Sequence, residues 1–257
     1  MLNYIRSEFY RIFHSRAFYV TLAVFMGLSI AVNMLLLLMV HNDASFPYAT
    51  TSFSYATYVA YPMWNAYAAL LITYILYEGN RKNGNLKNAI ALGISREKIF
   101  LVQCIVSIVM YCLILLATLM CYIVCAEGFL QTAGAVLWKD MFKAAGAAFL
   151  VAVASIVLTI AVMTVLKKEW FGLLVWFAFF SIIPAMTLLL SLQFTGLQDV
   201  AMWMPKNFFE WMHDVSIDTF EPIWQSAKGI GKCIVAGLAG ITIFGLGGLW
   251  RMKKMEV

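Results

Sequence analysis

Six apolar runs, each long enough to cross a bilayer, constrain this chain more than any other feature. An α-helix rises about 1.5 Å per residue and satisfies its own backbone hydrogen bonds, so roughly 20 apolar residues cross the hydrocarbon core. The runs lie at about 17–40, 56–77, 99–125, 144–165, 170–192 and 230–250. The third is long enough to tilt. Composition closes off the soluble alternative. Hydrophobic residues make up 63% of the chain and charged residues 12%, with a mean hydropathy of +0.84, whereas a soluble domain carries about 25% charged residues. The expected fold is all-α: one polytopic transmembrane domain over 1–257 with six transmembrane helices.

The first run follows a basic start but is too long for a signal-peptide core. The residues after it, Met39-Val40-His41-Asn42-Asp43, offer no small-x-small cleavage site, so it is expected to remain as an anchor. Orientation follows from the basic residues, which are retained on the cytoplasmic side of short loops. Arg6, Arg11 and Arg16 precede run one, and Arg81, Lys82, Lys87, Arg96 and Lys98 separate runs two and three. Lys167 and Lys168 join runs four and five, and Arg251, Lys253 and Lys254 follow run six. The intervening segments hold only Lys139, Lys143, Lys206, Lys228 and Lys232, against a larger set of acids. Both termini are therefore expected in the cytoplasm. The formal charge of +5 is spread between apolar runs rather than gathered on one surface, which argues against a nucleic-acid partner. Cys104, Cys112, Cys121, Cys125 and Cys233 all lie within apolar stretches and read as small packing residues.

Three segments outside the bilayer carry pattern. In 1–16, Leu2, Ile5, Phe9, Ile12 and Phe13 recur at helical spacing with Arg6 and Arg11 elsewhere. This reads as an interfacial amphipathic helix, with a bare orientation signal as the alternative. In the cytoplasmic loop 78–98, Leu86, Ala89 and Ile90 share a helical face, Gly93 suits a left-handed stop, and Ser95 is placed to cap a helix opening with Arg96 and Glu97. Helix, tight turn, long helix is expected there; a solvated basic loop is the alternative. In the extracytoplasmic segment 193–229, Trp203, Phe208, Phe209, Trp211, Phe220 and Trp224 alternate with acids. Phe208, Trp211 and Met212 fit one helical face, and Pro205 and Pro222 would bound short amphipathic helices. Trp203, Phe208 and Trp211 serve either as an aromatic belt or as a contact for cargo.

Catalytic chemistry lacks its minimal residues. There is no GxxxxGK[ST], HExxH or GxSxG, and His14 and His41 flank opposite ends of run one, where they cannot share a metal. No catalytic residue, cofactor or metal ligand is assigned. No Asp, Glu, Lys, Arg or His lies deep in a run, as a proton-coupled carrier would need. Asn33, Asn65 and Gln103 are the embedded polar residues, candidates for a translocation path but more often bonds between helices. Pro62 is expected to bend run two near Asn65, either as part of a moving element or as a static kink.

The layout resembles the membrane subunit of a type 2 ABC exporter, the permease family that includes bacteriocin and lantibiotic immunity transporters. The features that carry it are Tyr4-Ile-Arg-Ser-Glu-Phe-Tyr-Arg11, Gly84-Asn-Leu-Lys-Asn-Ala-Ile-Ala-Leu-Gly-Ile-Ser-Arg-Glu-Lys98, six spans, and the large outer segment before the last. The resemblance implies a multi-pass protein of the bacterial cell membrane. Asn85, Leu86, Lys87, Asn88, Ile90, Gly93, Ser95 and Arg96 would meet a separate ABC ATP-binding subunit, present in two copies and holding the ATP–Mg. A second six-span permease, identical or paralogous, would complete the path for a hydrophobic or amphipathic cargo such as a peptide. A non-transporting scaffold or sensory subunit and an ion-coupled carrier are the alternatives from other classes.

Overall fold

Ser15 separates the first two helices. It sits in extended backbone between α1 (Leu2–Phe13) and α2 (Arg16–Asn42), and its hydroxyl accepts from the Phe18 amide, capping α2. The computed structural model describes residues 2–43, 46–82, 85–166, 169–210, 212–215 and 220–254. Within these ranges the side chains of 79–82, 85–87, 169, 212–215, 220–221 and 223 lie outside the description. The chain continues through α3 (Thr51–Val59), α4 (Trp64–Lys82), α5 (Asn85–Ala91), α6 (Arg96–Phe129), α7 (Trp138–Val165) and α8 (Glu169–Phe177). A π-helical turn at Ala178–Ile182 leads into α9 (Ile183–Ser191), α10 (Gln198–Ala201) and α11 (Pro205–Glu210). Antiparallel strands β1 (Met212–Val215) and β2 (Phe220–Pro222) then precede α12 (Ala227–Lys254).

Five segments are long and apolar enough to cross a membrane: α2, α6, α7, α8 with α9, and α12. The protein is a multi-pass membrane protein. The second expected run departs from a straight span, because α3 and α4 meet at 72° and make a sixth crossing only as a bent pair. The cause is Pro62, as the sequence anticipates: it has no N–H to donate, and its ring excludes the carbonyl four residues earlier from a continuing helix. The chain turns instead through Tyr61 N–H to Tyr58 O (3.3 Å) and Trp64 N–H to Tyr61 O (3.0 Å). The start of α3 is held from outside. Thr51 N–H donates to Gln131 O (3.0 Å), Ser52 N–H to Ala133 O (3.3 Å), and Val136 N–H to Ser52 Oγ (3.0 Å), so the α6–α7 connection clasps it. Gly134 runs at φ +96° against Ser52, a conformation and a proximity that a side chain would forbid.

Helix α7 is the centre. In its most apolar stretch 72% of the residues are buried, against 11% for α2 and 17% for both α12 and Trp170–Ser191, which leaves those helices facing lipid. Association between helices in lipid rests on close van der Waals packing through small residues. The α7–α12 contact is built that way. A Cβ at Gly237 would collide with Leu150, one at Gly240 would lie 2.8 Å from Ala154 Cβ, and one at Gly248 would meet Phe100 and Ala161.

On α1 the face turned to the helices carries Tyr4, Ile5, Glu8 and Ile12, while Leu2 is 73% exposed, and α1 packs on α6. Glu8 is accommodated there by Arg11 at 2.9 Å. One expectation is corrected: between α9 and α12, Pro205 does open a helix, but α11 ends at Glu210 and Met212 pairs with Pro222 in the β ribbon, so Phe208 and Met212 share no helical face.

Candidate functional site

At the cytoplasmic tip expected between spans, α5 ends as Gly93 predicts. Gly93 has φ +80°; its N–H donates to Ile90 O (2.9 Å) and Ile94 N–H donates to Ala89 O (3.1 Å), the paired bonds of a Schellman stop. The tip is therefore an ordered helix–turn–helix. Asn85, Leu86 and Lys87 lie in α5, with their side chains outside the description. Ala89 is buried against the hairpin, Asn88 is exposed, and Ile90 (39% exposed) and Leu92 (82% exposed) face outward. Ser95 occupies the cap position of α6 in extended backbone, without the side-chain bond expected of it. Arg96 opens α6, and Glu97 in the same turn reaches Lys253 of α12 at 3.4 Å.

The embedded polar residues do not gather at one point. They form three rungs along α6. Gln103 Nε2 donates to Tyr4 Oη at 3.4 Å, near the Arg96 end of the helix. Burial, then the charge of Glu8, pushes the Tyr4 phenol up to about 12. Eight residues on, about 12 Å along the helix, Tyr111 Oη donates to Asn65 Oδ1 (3.3 Å), which also accepts from Tyr58 Oη (2.9 Å), while Asn65 Nδ2 donates to Pro62 O (2.9 Å). This rung sits at the α3–α4 bend. The outermost joins α2, α3 and α6. Ser54 Oγ donates to Asn33 Oδ1 (2.7 Å), Asn33 Nδ2 donates to Ser29 O (2.9 Å), and Tyr122 Oη donates to Ser54 O (2.9 Å). Asn33, Asn65 and Gln103 are each no more than 3% exposed. All three are spent on contacts between or within helices.

A second polar contact was not singled out in the sequence. Ser155 Oγ on α7 donates to Ala66 O and accepts from Trp176 Nε1, each at 2.8 Å, and Trp176 stacks on Phe180 with centroids 4.7 Å apart. Nothing in the spacing of a lone serine within an apolar run marks it. Among the described residues, no group of three or more His, Cys, Asp or Glu is placed to hold a metal, and the five cysteines are unpaired thiols, buried or half-buried.

The outer segment turns inward. Asn207 Nδ2 donates to Pro184 O and to Ala201 O, both at 2.9 Å, which fixes α11 alongside the π-helical turn instead of above it. Phe208 is fully buried beside Phe209. Trp203 is 47% exposed, with Lys232 Nζ 5.5 Å from its ring centroid. Trp211 lies outside the described residues. The π turn itself follows from Pro184, which cannot donate to Phe180; widening the preceding turn relieves the clash.

No protein-family model matches the chain, and no curated protein or solved structure does so either.

Proposed function

We propose that the chain is the permease subunit of an ATP-driven ABC exporter in a bacterial cell membrane. It would have six spans, counting the bent α3–α4 pair as one, with both terminal segments in the cytoplasm. The cargo is hydrophobic or amphipathic, a peptide such as a bacteriocin. ATP–Mg binds and is hydrolysed in a separate pair of ATP-binding subunits, and a second permease copy or paralogue completes the path.

One observation carries the reading: an ordered short helix, α5, closed by a Schellman stop, joins two long helices and leaves Ile90 and Leu92 outward. An apolar knob on a rigid hairpin fits a groove in a partner, and pushing it transmits force into α4 and α6. A loose basic tether would transmit none. The polar rung at the Pro62 bend lies on the same two helices.

The test is co-expression and purification of the chain with an ABC ATP-binding subunit from the same organism, followed by vanadate-sensitive ATP turnover. The wild type is expected to retain the subunit and stimulate turnover. Leu86→Asp and Ile90→Asp are expected to release it while the chain's own melting temperature holds. Retained assembly and turnover in both variants would remove the contact, and a retained partner without turnover would favour a scaffold.

A further inference from the structure

A cavity of about 110 Å³ lies where α11 folds against the bundle. Its walls are Phe179 and Phe180 of the π turn, Pro184 of α9, and Ala236 and Phe244 of α12; Lys206 of α11 stands at it as the one charged residue lining it among the described residues. The cavity also touches Val151, the fourteenth residue of α7, about 20 Å along that helix from Trp138. It therefore lies within the membrane-spanning part of the fold. Its other walls belong to α8–α9 and α12, whose most apolar stretches are only 17% buried, and Phe179 is 49% exposed. The way in is lateral, from the bilayer.

Three properties decide what enters. A molecule arriving from the hydrocarbon must be apolar where it meets the aromatic walls. The space is far below the roughly 300 Å³ of a pocket that encloses a whole small ligand, and near the ~150 Å³ of an apolar cavity that stays dry and holds a single benzene. A short segment of one hydrocarbon chain fits and a folded peptide does not. Lys206 Nζ stands 3.7 Å from Glu210 Oε2, beyond the roughly 2.7–2.9 Å of a charge-assisted hydrogen bond, with its side chain 22% exposed. That separation leaves an ion pair without a hydrogen bond, which a closer anion can displace.

We propose that this cavity holds a short segment of one acyl chain of a membrane phospholipid with net negative charge, whose head group takes Lys206 in competition with Glu210. The site is independent of the exporter reading. It would give α11 a lipid-dependent anchor in the outer half of the bundle, since Asn207, the next residue, already ties α11 to Pro184 and Ala201.

The experiment is native mass spectrometry of the full chain released from detergent with phosphatidylglycerol or phosphatidylcholine of identical chains. Wild type is expected to retain phosphatidylglycerol over phosphatidylcholine by roughly fivefold, the equivalent of about 1 kcal/mol for one lysine at an anionic head group. Lys206→Gln should bring the two lipids level, Glu210→Gln should widen the preference, and Ala236→Phe should lower retention of both. Inorganic phosphate at millimolar concentration should not displace the lipid, because it leaves the apolar walls empty. Equal retention of the two lipids by wild type, or no change in Lys206→Gln and Glu210→Gln, overturns the proposal even if Ala236→Phe fails to fold. Displacement by phosphate assigns Lys206 to a free anion and overturns it too.

Discussion

Ser54 Oγ donates to Asn33 Oδ1 across 2.7 Å, tying α3 to α2. Both residues are fully buried; Asn33 Oδ1 left without Ser54 has no water to turn to, whereas Ser54 Oγ keeps Tyr122 Oη at 2.9 Å. Hydrogen bonds between helices in membrane proteins average about 0.6 kcal/mol and reach about 1.7, while orphaning a buried partner costs roughly 1–3. Asn33→Ala and Ser54→Ala are each expected to destabilise by about 1–2 kcal/mol. The double variant should cost clearly less than the two singles added, read as detergent melting temperatures in a double-mutant cycle. Strict additivity would mean the bond contributes nothing.

The α7–α12 seam makes a sharper comparison. A Cβ at Gly237 strikes Leu150 side chain and backbone, whereas one at Gly247, on the same helix, meets nothing within 4 Å. Gly237→Ala should lower stability by roughly 1–3 kcal/mol, the usual cost of overpacking. Gly247→Ala should be neutral or raise stability by about 0.4–1 kcal/mol, through the unfolded chain. Equal effects at the two positions would place the seam elsewhere.

Gly93 concerns the proposed coupling tip. Its φ of +80° costs any other L-residue roughly 1–2 kcal/mol. Gly93→Ala is expected to fray α5 and cut ATP turnover in the assembled transporter several-fold, with little change in the melting of the spans. Gly93→Asn, better suited to left-handed backbone, should recover part of the loss.

Membrane sidedness is checked by labelling. In a cysteine-free background, Lys87→Cys should react with an impermeant maleimide only after cells are opened. Thr132→Cys, exposed in the α6–α7 connection, should react in intact cells. The reverse pattern would invert the orientation and remove the proposed contact with a cytoplasmic ATPase.

The Lys253–Glu97 pair at 3.4 Å joins the end of α12 to the start of α6, but the two side chains are 66% and 43% exposed. Screening by water leaves such pairs worth at most about 1 kcal/mol. Lys253→Ala should therefore leave the melting temperature nearly unchanged in physiological salt.

Periodicity and length alone determined the spanning helices, because an apolar run of twenty residues in lipid has no backbone solution other than a helix. The same local logic placed the Pro62 bend, the Gly93 stop and the helix at Leu2–Phe13, since each depends on the backbone of a few neighbouring residues. The tertiary structure decided which faces meet. Glu8 turns inward where α1 packs on α6 and is paired there with Arg11, and Phe208 is buried because Asn207 draws α11 down beside Pro184. Asn33, Asn65 and Gln103 serve as rungs on α6, and Ser155 meets Trp176, through partners that sequence spacing does not reveal. Burial direction and hydrogen-bond choice at these positions depend on residues tens of positions away, and only the packed helices bring those residues within reach.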